Sequence, residues 1–194
     1  MNNNNKLDRR VKKSKAALKL ALIGLMEMKD FREISVKEIV ETADLNRGTF
    51  YKHYFYKEDL LDEIIDDVTS DLIRSFREPY KDKLALFDPS HLTSTTIKIF
   101  AHVEKHSKFY ALIVKSNVLN SFQNEICTTL KTLALEDLIA KRTDLTVDPH
   151  LLASFYSYAI YGMILEWING GYKHSSQFMA EQLLEIIKMK RRNL

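Results

Sequence analysis

The chain has 194 residues, of which only five are glycine and three are proline, and its formal net charge is +3 at pH 7. This shortage of glycine and proline excludes collagen-like, low-complexity and turn-rich all-β proteins, and it favours a mostly helical protein. The single cysteine, Cys127, excludes an intramolecular disulfide framework and any metal site built from several cysteines.

The positive charge is concentrated near the N-terminus. Residues 1–57 carry 13 Lys/Arg against 7 Asp/Glu, a net charge of +6, whereas residues 58–194 carry 16 against 19, a net charge of −3. A basic segment attached to a mildly acidic remainder favours a polyanionic partner for that segment, although an ordinary solvated surface explains the charge equally well.

The N-terminal region resembles a signal peptide only superficially, since basic residues precede an apolar stretch over residues 16–26. Lys19 interrupts this stretch, and Glu27 and Lys29 stand where small residues would mark a cleavage site. No uninterrupted apolar run approaches the ~20 residues that span a bilayer. We therefore expect a cytoplasmic protein whose first helix is amphipathic and covers about residues 9–29.

Two short helices with strong start signals are predicted next. Ser35 and Glu38 have the spacing of a capping box, which predicts a helix of about two turns that ends near Ala43. Asn46 is a good N-cap for a following helix over about residues 47–54. Two capped helix starts this close together indicate a helix-turn-helix.

The remainder of the chain is predicted to be helical as well. Apolar residues at an i+4 spacing, beginning at Leu60 and Ile64, predict a fourth helix over about residues 57–77. After a connector over 79–89, further helices are expected near residues 91–105, 107–115, 119–141, 149–169 and 175–190. The predicted fold class is therefore all-α, with about nine helices.

Three sequence runs carry a family resemblance: SVKEIV at 35–40, ADLNRGTFYKHY at 43–54 and KEDLL at 57–61. Together they resemble the DNA-binding signature of TetR-family transcriptional regulators, and the similarity extends over roughly residues 10–62. The spacing of Gly162, Glu166, Trp167 and Gly171 also resembles the C-terminal pattern of one TetR subgroup. The resemblance implies a helix-turn-helix DNA-binding domain over 1–56 and a ligand-binding and dimerisation domain over 57–194.

The third predicted helix should present a polar face to the major groove of DNA, because Phe50 and Tyr54 lie one turn apart and should pack inward. Arg47 could contact a guanine edge or a phosphate. Lys57 opposes the dipole of its own helix, a conflict that a bound phosphate would remove. The predicted DNA-contacting residues are Ser35, Lys37, Asn46, Arg47, Gly48, Thr49, Tyr51, Lys52, His53 and Lys57.

The resemblance further implies a homodimer that binds a pseudo-palindromic operator as a repressor and is released by a small apolar or amphipathic ligand. The predicted pocket-lining residues are Phe100, Phe109, Ile113, Phe122 and Tyr156. The predicted dimer residues are Leu152, Phe155, Ala159, Gly162, Phe178, Leu183 and Ile187. The alternative function is a DNA-binding regulator or architectural protein that a protein partner controls, without a small-molecule ligand.

Enzymatic signatures are lacking in the sequence: it contains no phosphate-binding glycine loop, nucleophile elbow or metal-binding signature. His102 and His106 lie one helical turn apart, but core or solvated histidines are the preferred interpretation because no third ligand is identifiable. Cys127 is interpreted as a buried thiol rather than a redox sensor. We therefore predict a non-enzymatic protein with no cofactor and no metal.

Overall fold

The computed structural model describes residues 2–78, 97–115, 120–140 and 145–192. Within these ranges the protein is helical and contains no strand, which confirms the all-α fold class. The described residues form nine α-helices: α1 (Asn2–Met28), α2 (Val36–Thr42), α3 (Arg47–Tyr51), α4 (Lys57–Arg77), α5 (Ile99–Lys105), α6 (Ser107–Lys115), α7 (Asn120–Leu133), α8 (Pro149–Asn169) and α9 (Ser176–Arg192). A 3₁₀ turn (Phe31–Glu33) follows α1, and a π-helical segment (Ala134–Ile139) follows α7.

Most observed helices begin and end close to the predicted positions, and α4 begins and ends at the predicted residues. Helix α1 begins at Asn2 rather than near residue 9, because neither glycine nor proline interrupts the chain before Gly24. The helix predicted over 119–141 divides into α7 and the π-helical segment. The predicted connector over 79–89 and the start of the helix predicted over 91–105 lie outside the described residues.

The chain forms two compact units, Met1–Asp67 and Val68–Leu194, which meet within α4. Our predicted boundary lies earlier, between residues 56 and 57. The first turns of α4 fall in the N-terminal unit, where Leu60, Leu61 and Ile64 are buried. The first turns of α4 therefore contribute core residues to the first compact unit.

The predicted capping box at the start of α2 is present. The Ser35 hydroxyl accepts a hydrogen bond from the Glu38 N–H at 3.3 Å, and the Glu38 carboxylate accepts from the Ser35 N–H at 2.9 Å. The Lys29 ammonium also binds this carboxylate. The hydrogen bonds from Lys29 and Ser35 lower the pKa of Glu38 to about 2. The start of α2 is therefore fixed by side chains as well as by backbone hydrogen bonds.

Replacing Ser35 with alanine is expected to lower the free energy of unfolding by about 1 kcal/mol, because the N-cap acceptor of α2 is lost. Urea unfolding followed by circular dichroism measures the change. Ser70→Ala is the matched control, because Ser70 is exposed in the interior of α4 and alanine is at least as good a helix former there. Equal stability of Ser35→Ala and wild type would contradict the capping role.

Ion pairs join α1 to α4 within the N-terminal unit. The Lys15 and Lys19 ammonium groups lie 2.8 and 2.7 Å from the Glu63 carboxylate, and Lys19 also binds Asp67. Partial burial raises the pKa of Glu63, but the hydrogen bonds from Lys15 and Lys19 outweigh it and lower that pKa to about 2. The folded unit therefore stabilises the charged form of Glu63.

We expect this contribution to be present above the ordinary glutamate pKa of about 4.5. It should be lost as the pH falls from there towards 2, since the group with a lowered pKa must then take up a proton in the folded state. Urea unfolding of wild type and Glu63→Gln between pH 7 and pH 2.5 tests this. The two stabilities should differ by about 1 kcal/mol at neutral pH and converge at low pH. A difference that does not change with pH would contradict this assignment.

In the C-terminal unit, α8 packs against α6 and α7, while α5 packs against α9. Helix α8 begins where the Asp148 carboxylate accepts from the Leu151 N–H at 2.9 Å, with Pro149 in its first turn. It ends at Gly170 and Gly171, the second of which has a φ of +69°. These start and stop signals give α8 the limits predicted from the sequence.

Helix α8 is apolar on two faces. Its buried face includes Ala153, Tyr161, Ile164 and Trp167, whereas Leu151 and other large apolar side chains on the helix are exposed. By length and composition this 21-residue helix could cross a membrane, but 39% of its most apolar window is buried inside the protein. The apolar side chains of α8 therefore divide between one face that lies in the core and a second face that is exposed.

Candidate nucleic-acid interface and regulatory site

Helix α3 is held at both ends by contacts that its own sequence provides. The Asn46 side-chain oxygen accepts from the Thr49 N–H at 2.8 Å and from the Thr49 hydroxyl at 3.0 Å. Phe50 and Tyr54 are buried as predicted, with their ring centroids 5.5 Å apart. This anchoring fixes which side of the short helix faces outward.

The outward side of α3 carries a mixture of charged, aromatic and small residues. Arg47, Gly48 and Lys52 are exposed, and 56% of Tyr51 is exposed. A Cβ atom at Gly48 would lie 3.3 Å from the Asn46 side-chain oxygen, so glycine leaves room for the helix cap. Cationic, hydroxyl and small groups on one face of a short helix suit the major groove and its phosphates.

Other predicted contact residues surround this face to different degrees. Ser35 and Lys37 are exposed, and the Lys37 ammonium lies 3.8 Å from the Glu41 carboxylate. Thr49 and His53 are only half exposed. Because the Thr49 hydroxyl already donates to Asn46, its methyl group and oxygen lone pairs are what it can offer to a ligand.

The structure gives Lys57 hydrogen bonds within its own chain that the sequence did not predict. Its ammonium donates to the backbone oxygens of Phe31 at 2.7 Å and Ile34 at 2.8 Å, and it lies 4.6 Å from the centre of the Phe31 ring. These hydrogen bonds hold Lys57 to carbonyls in and directly after the 3₁₀ turn, and its contact with a phosphate stays a prediction. Just before α4, the Asp59 carboxylate accepts from the Phe55 and Tyr56 N–H groups.

Sequence comparison supports the assignment of both parts of the chain. The family described as "Bacterial regulatory proteins, tetR family" matches residues 14–64, and the one described as "Transcriptional regulator C-terminal region" matches residues 90–189. The chain belongs to the TetR family. Members of this family are DNA-binding transcriptional regulators, and the family is generally non-enzymatic.

Individual relatives agree with this family. "Uncharacterized HTH-type transcriptional regulator YxbF" of Bacillus subtilis is 24% identical over 92% of this chain, which spans about half (46%) of that relative's length. A putative TetR-family regulator from Syntrophomonas wolfei has a TM-score of 0.71 at 19% identity, with 91% of this chain and 94% of that chain covered. "Dihydroxyacetone kinase operon activator DhaS" has a TM-score of 0.60 at 20% identity, with 91% and 95% covered. The two structures share the TetR fold.

The predicted pocket residues of this TetR protein are divided among different contacts. Phe109 and Phe122 are buried and meet edge to face, with centroids 4.9 Å apart. Phe100 is buried against Trp167 instead. Tyr156 packs on a separate cluster of Ala134, Ile139, Leu152 and Ala153. The side chain of Ile113 lies outside the described residues, and the pocket itself stays a prediction.

The predicted dimer residues fall into two groups. Phe155, Ala159, Gly162 and Phe178 are exposed, and Ile187 is half exposed. Leu152 and Leu183 are buried within their own chain. The dimer surface itself stays a prediction. The sequence did not identify three exposed apolar residues nearby: Leu151, Tyr158 and Ile186. The i, i+4, i+7 spacing of Leu151, Phe155 and Tyr158 indicates that they share one face of α8. Because α8 carries apolar residues on both faces, this spacing did not show which face is exposed.

A buried polar cluster joins α4 to α5 within the C-terminal unit. The Asp71 Oδ2 atom lies 2.9 Å from both His102 Nδ1 and His106 Nε2, and the Lys105 ammonium lies 3.0 Å from each Asp71 oxygen. The second ring nitrogen of His102, Nε2, lies 3.0 Å from the Tyr110 hydroxyl. Sequence reasoning found the two histidines but not Asp71, which is distant from them in the chain.

Burial and hydrogen bonding determine the charges in this cluster. Burial of the ring lowers the pKa of His102 to about 4, although its hydrogen bond to Asp71 acts in the opposite direction. Burial alone would raise the pKa of Asp71, but hydrogen bonds from His102, Lys105 and His106 lower it below its ordinary value. At neutral pH the cluster therefore combines a carboxylate with a neutral His102.

Proposed function

We propose that this TetR-family protein is a cytoplasmic homodimeric repressor that binds a pseudo-palindromic operator and is released by a small-molecule ligand. The observation that carries the proposal is the outward face of α3, where exposed Arg47, Tyr51 and Lys52 flank the close-approach position Gly48. The face is held by the Asn46 cap and by the buried Phe50. A rigid helix with outward cations is what groove recognition needs.

Dimerisation is supported by apolar residues that this chain leaves exposed on its last two helices. On α8, Leu151, Phe155 and Tyr158 are 68%, 59% and 64% exposed, and Ile186 on α9 is 54% exposed. Exposed large apolar side chains at helical spacing favour contact with another protein surface. A second copy of the same two helices would complete a four-helix bundle. Two-fold symmetry would then require half-sites about one helical turn, or a multiple of it, apart.

Ligand control is supported by the continuity of α4. This helix begins directly after the helix-turn-helix and continues into the C-terminal unit at Val68. A ligand that favours one arrangement of the C-terminal unit could alter the spacing of the two recognition helices through α4 and so weaken operator binding. Because the structural relative DhaS is named an activator, the sign of regulation needs its own measurement.

Selection of DNA from a random pool by the purified full-length chain tests the proposal. We expect a shared palindromic motif, bound with a log-log salt slope near −7 if each subunit makes about four phosphate contacts. In vitro transcription from a promoter that contains the motif should show repression. A slope near zero, or a pool without a shared motif, would exclude operator binding. The alternative of control by a protein partner predicts that no small molecule changes the affinity for the selected motif.

A further inference from the structure

We propose that Asp71, His102 and His106 form a binding site for a divalent first-row transition-metal ion, such as Zn²⁺. The candidate ligand atoms of the three side chains all lie within 4.8 Å of one another. Two imidazoles and one carboxylate are a donor set that suits Zn²⁺, Fe²⁺ or Ni²⁺ and discriminates against Mg²⁺ and Ca²⁺, which prefer oxygen ligands.

The hydrogen bonds at Asp71 Oδ2 point to a ligand that is shared by the three side chains. This one oxygen lies within 3.0 Å of His102, His106 and Lys105 nitrogens, whereas a carboxylate oxygen offers about two lone-pair sites. The cluster thus places three donors where the geometry supports two. A cation bound by Asp71 and the two imidazoles would replace hydrogen bonds that compete with one another.

Little movement is needed to admit a metal ion. Nitrogen and oxygen ligands bind Zn²⁺ at ~2.0–2.2 Å, which places them about 3.4 Å apart in a tetrahedral site. The two imidazole nitrogens already lie 2.9 Å from the Asp71 oxygen, so each nitrogen–oxygen pair must separate by only about half an ångström. All three ligand atoms lie within 4.8 Å of one another, so the two nitrogens need to approach by at most about 1.4 Å. Lys105 must leave Asp71, and its side chain is 63% exposed and therefore able to turn into solvent.

The surroundings of His102 supply the support that metal-bound histidines usually have. Its side chain is fully buried, and its Nε2 atom lies 3.0 Å from the Tyr110 hydroxyl. With Nδ1 on the metal, Nε2–H would donate to Tyr110 and hold the ring orientation. The His106 side chain is 24% exposed, so the open side of the cluster lies at His106 and Lys105. Three protein ligands with an open side suit an ion that exchanges with solvent.

The regulatory consequence rests on the proposed function. Asp71 lies on α4, the helix that begins at the end of the helix-turn-helix, and both histidines lie on or directly after α5. A metal ion that binds all three would fix α4 against α5 at Asp71. We therefore assign to this TetR protein a transition-metal ion as an effector that changes operator affinity about fivefold or more.

Calorimetric titration of the chelator-treated full-length protein with Zn²⁺ tests the site. We expect one ion per chain, and affinity at least about tenfold weaker in His106→Gln and Asp71→Asn. His150→Gln is the matched control, because His150 is exposed at the start of α8 and should leave binding unchanged. Lys105→Gln should bind more tightly than wild type, since it removes one of the two cations, Lys105 and Arg74, that pair with Asp71 and compete with the metal ion. A purely structural role for the cluster predicts no such gain.

Equal affinity of wild type and His106→Gln, or weaker binding by Lys105→Gln, would overturn the site. If His106→Gln or Asp71→Asn unfolds without metal, its affinity cannot be compared with that of wild type. The Co²⁺ absorption spectra of wild type and Lys105→Gln then show which atoms bind the metal ion. Nitrogen and oxygen ligation supports the site, whereas a thiolate charge-transfer band would place the metal at Cys127 and overturn it.

Operator binding is measured separately in chelator, so its failure refutes the proposed function and leaves the titration unaffected. Metal binding without any change in operator affinity would refute the effector role alone.

Discussion

Replacing Gly162 with arginine is expected to convert the proposed dimer of this TetR protein to a monomer at micromolar concentration. Gly162 is exposed on α8, and a Cβ atom built there meets nothing within 4 Å among the described residues of its own chain. A side chain at this position is therefore tolerated by the monomer, and arginine forms helix better than glycine does by roughly 0.8 kcal/mol. In the proposed dimer the same side chain would hold two closely packed helices apart.

Sedimentation velocity measures the change in mass, and operator affinity should fall by about 100-fold or more because two linked half-sites are no longer bound together. Gly24→Arg is the matched control: Gly24 is also a helical glycine with nothing within 4 Å of a built Cβ, but it lies on α1. It should remain a dimer. A Gly162→Arg protein that stays dimeric would show that α8 does not form the interface at this position.

Replacing Arg47 with alanine is expected to weaken binding to the selected operator by about 10-fold or more, since a bidentate arginine contact contributes roughly 1–3 kcal/mol. Arg47 is exposed at the first position of α3, and the Asn46 cap and the buried Phe50 hold that helix without it. The free energy of unfolding should therefore stay close to that of wild type. Fluorescence anisotropy with labelled operator measures the affinity, and mutated operators measure the loss of base preference.

Lysine variants separate phosphate contacts from base contacts. Lys52→Ala should lower affinity similarly for all sequences and reduce the magnitude of the log-log salt slope by about 2 per dimer. Lys108→Ala is the control, since Lys108 is an exposed lysine on α6 in the C-terminal unit. Unchanged operator affinity in both Arg47→Ala and Lys52→Ala would contradict the assignment of α3 as the recognition helix.

The sequence by itself determined the parts of this protein that depend on neighbouring residues. The Ser35 and Asn46 caps follow from side chains within a few positions of the backbone groups that they satisfy. The limits of α4 follow from its helical apolar spacing, and the end of α8 follows from glycine at positions 170 and 171. The inward packing of Phe50 and Tyr54 is local for the same reason, because it needs only the helical period. The TetR assignment rests on these short-range features.

Only the tertiary structure decided what depends on residues that are distant in the chain. Lys57 binds carbonyls of the 3₁₀ turn, a contact that its position at a helix start did not reveal. The side of α8 that is buried could not be chosen from a helix that is apolar on two faces, and only the structure showed that Leu152 lies on the buried side. Asp71 reaches His102 across 31 positions of sequence. Helical periodicity specifies which residues share a face, but the partner of that face is selected by packing.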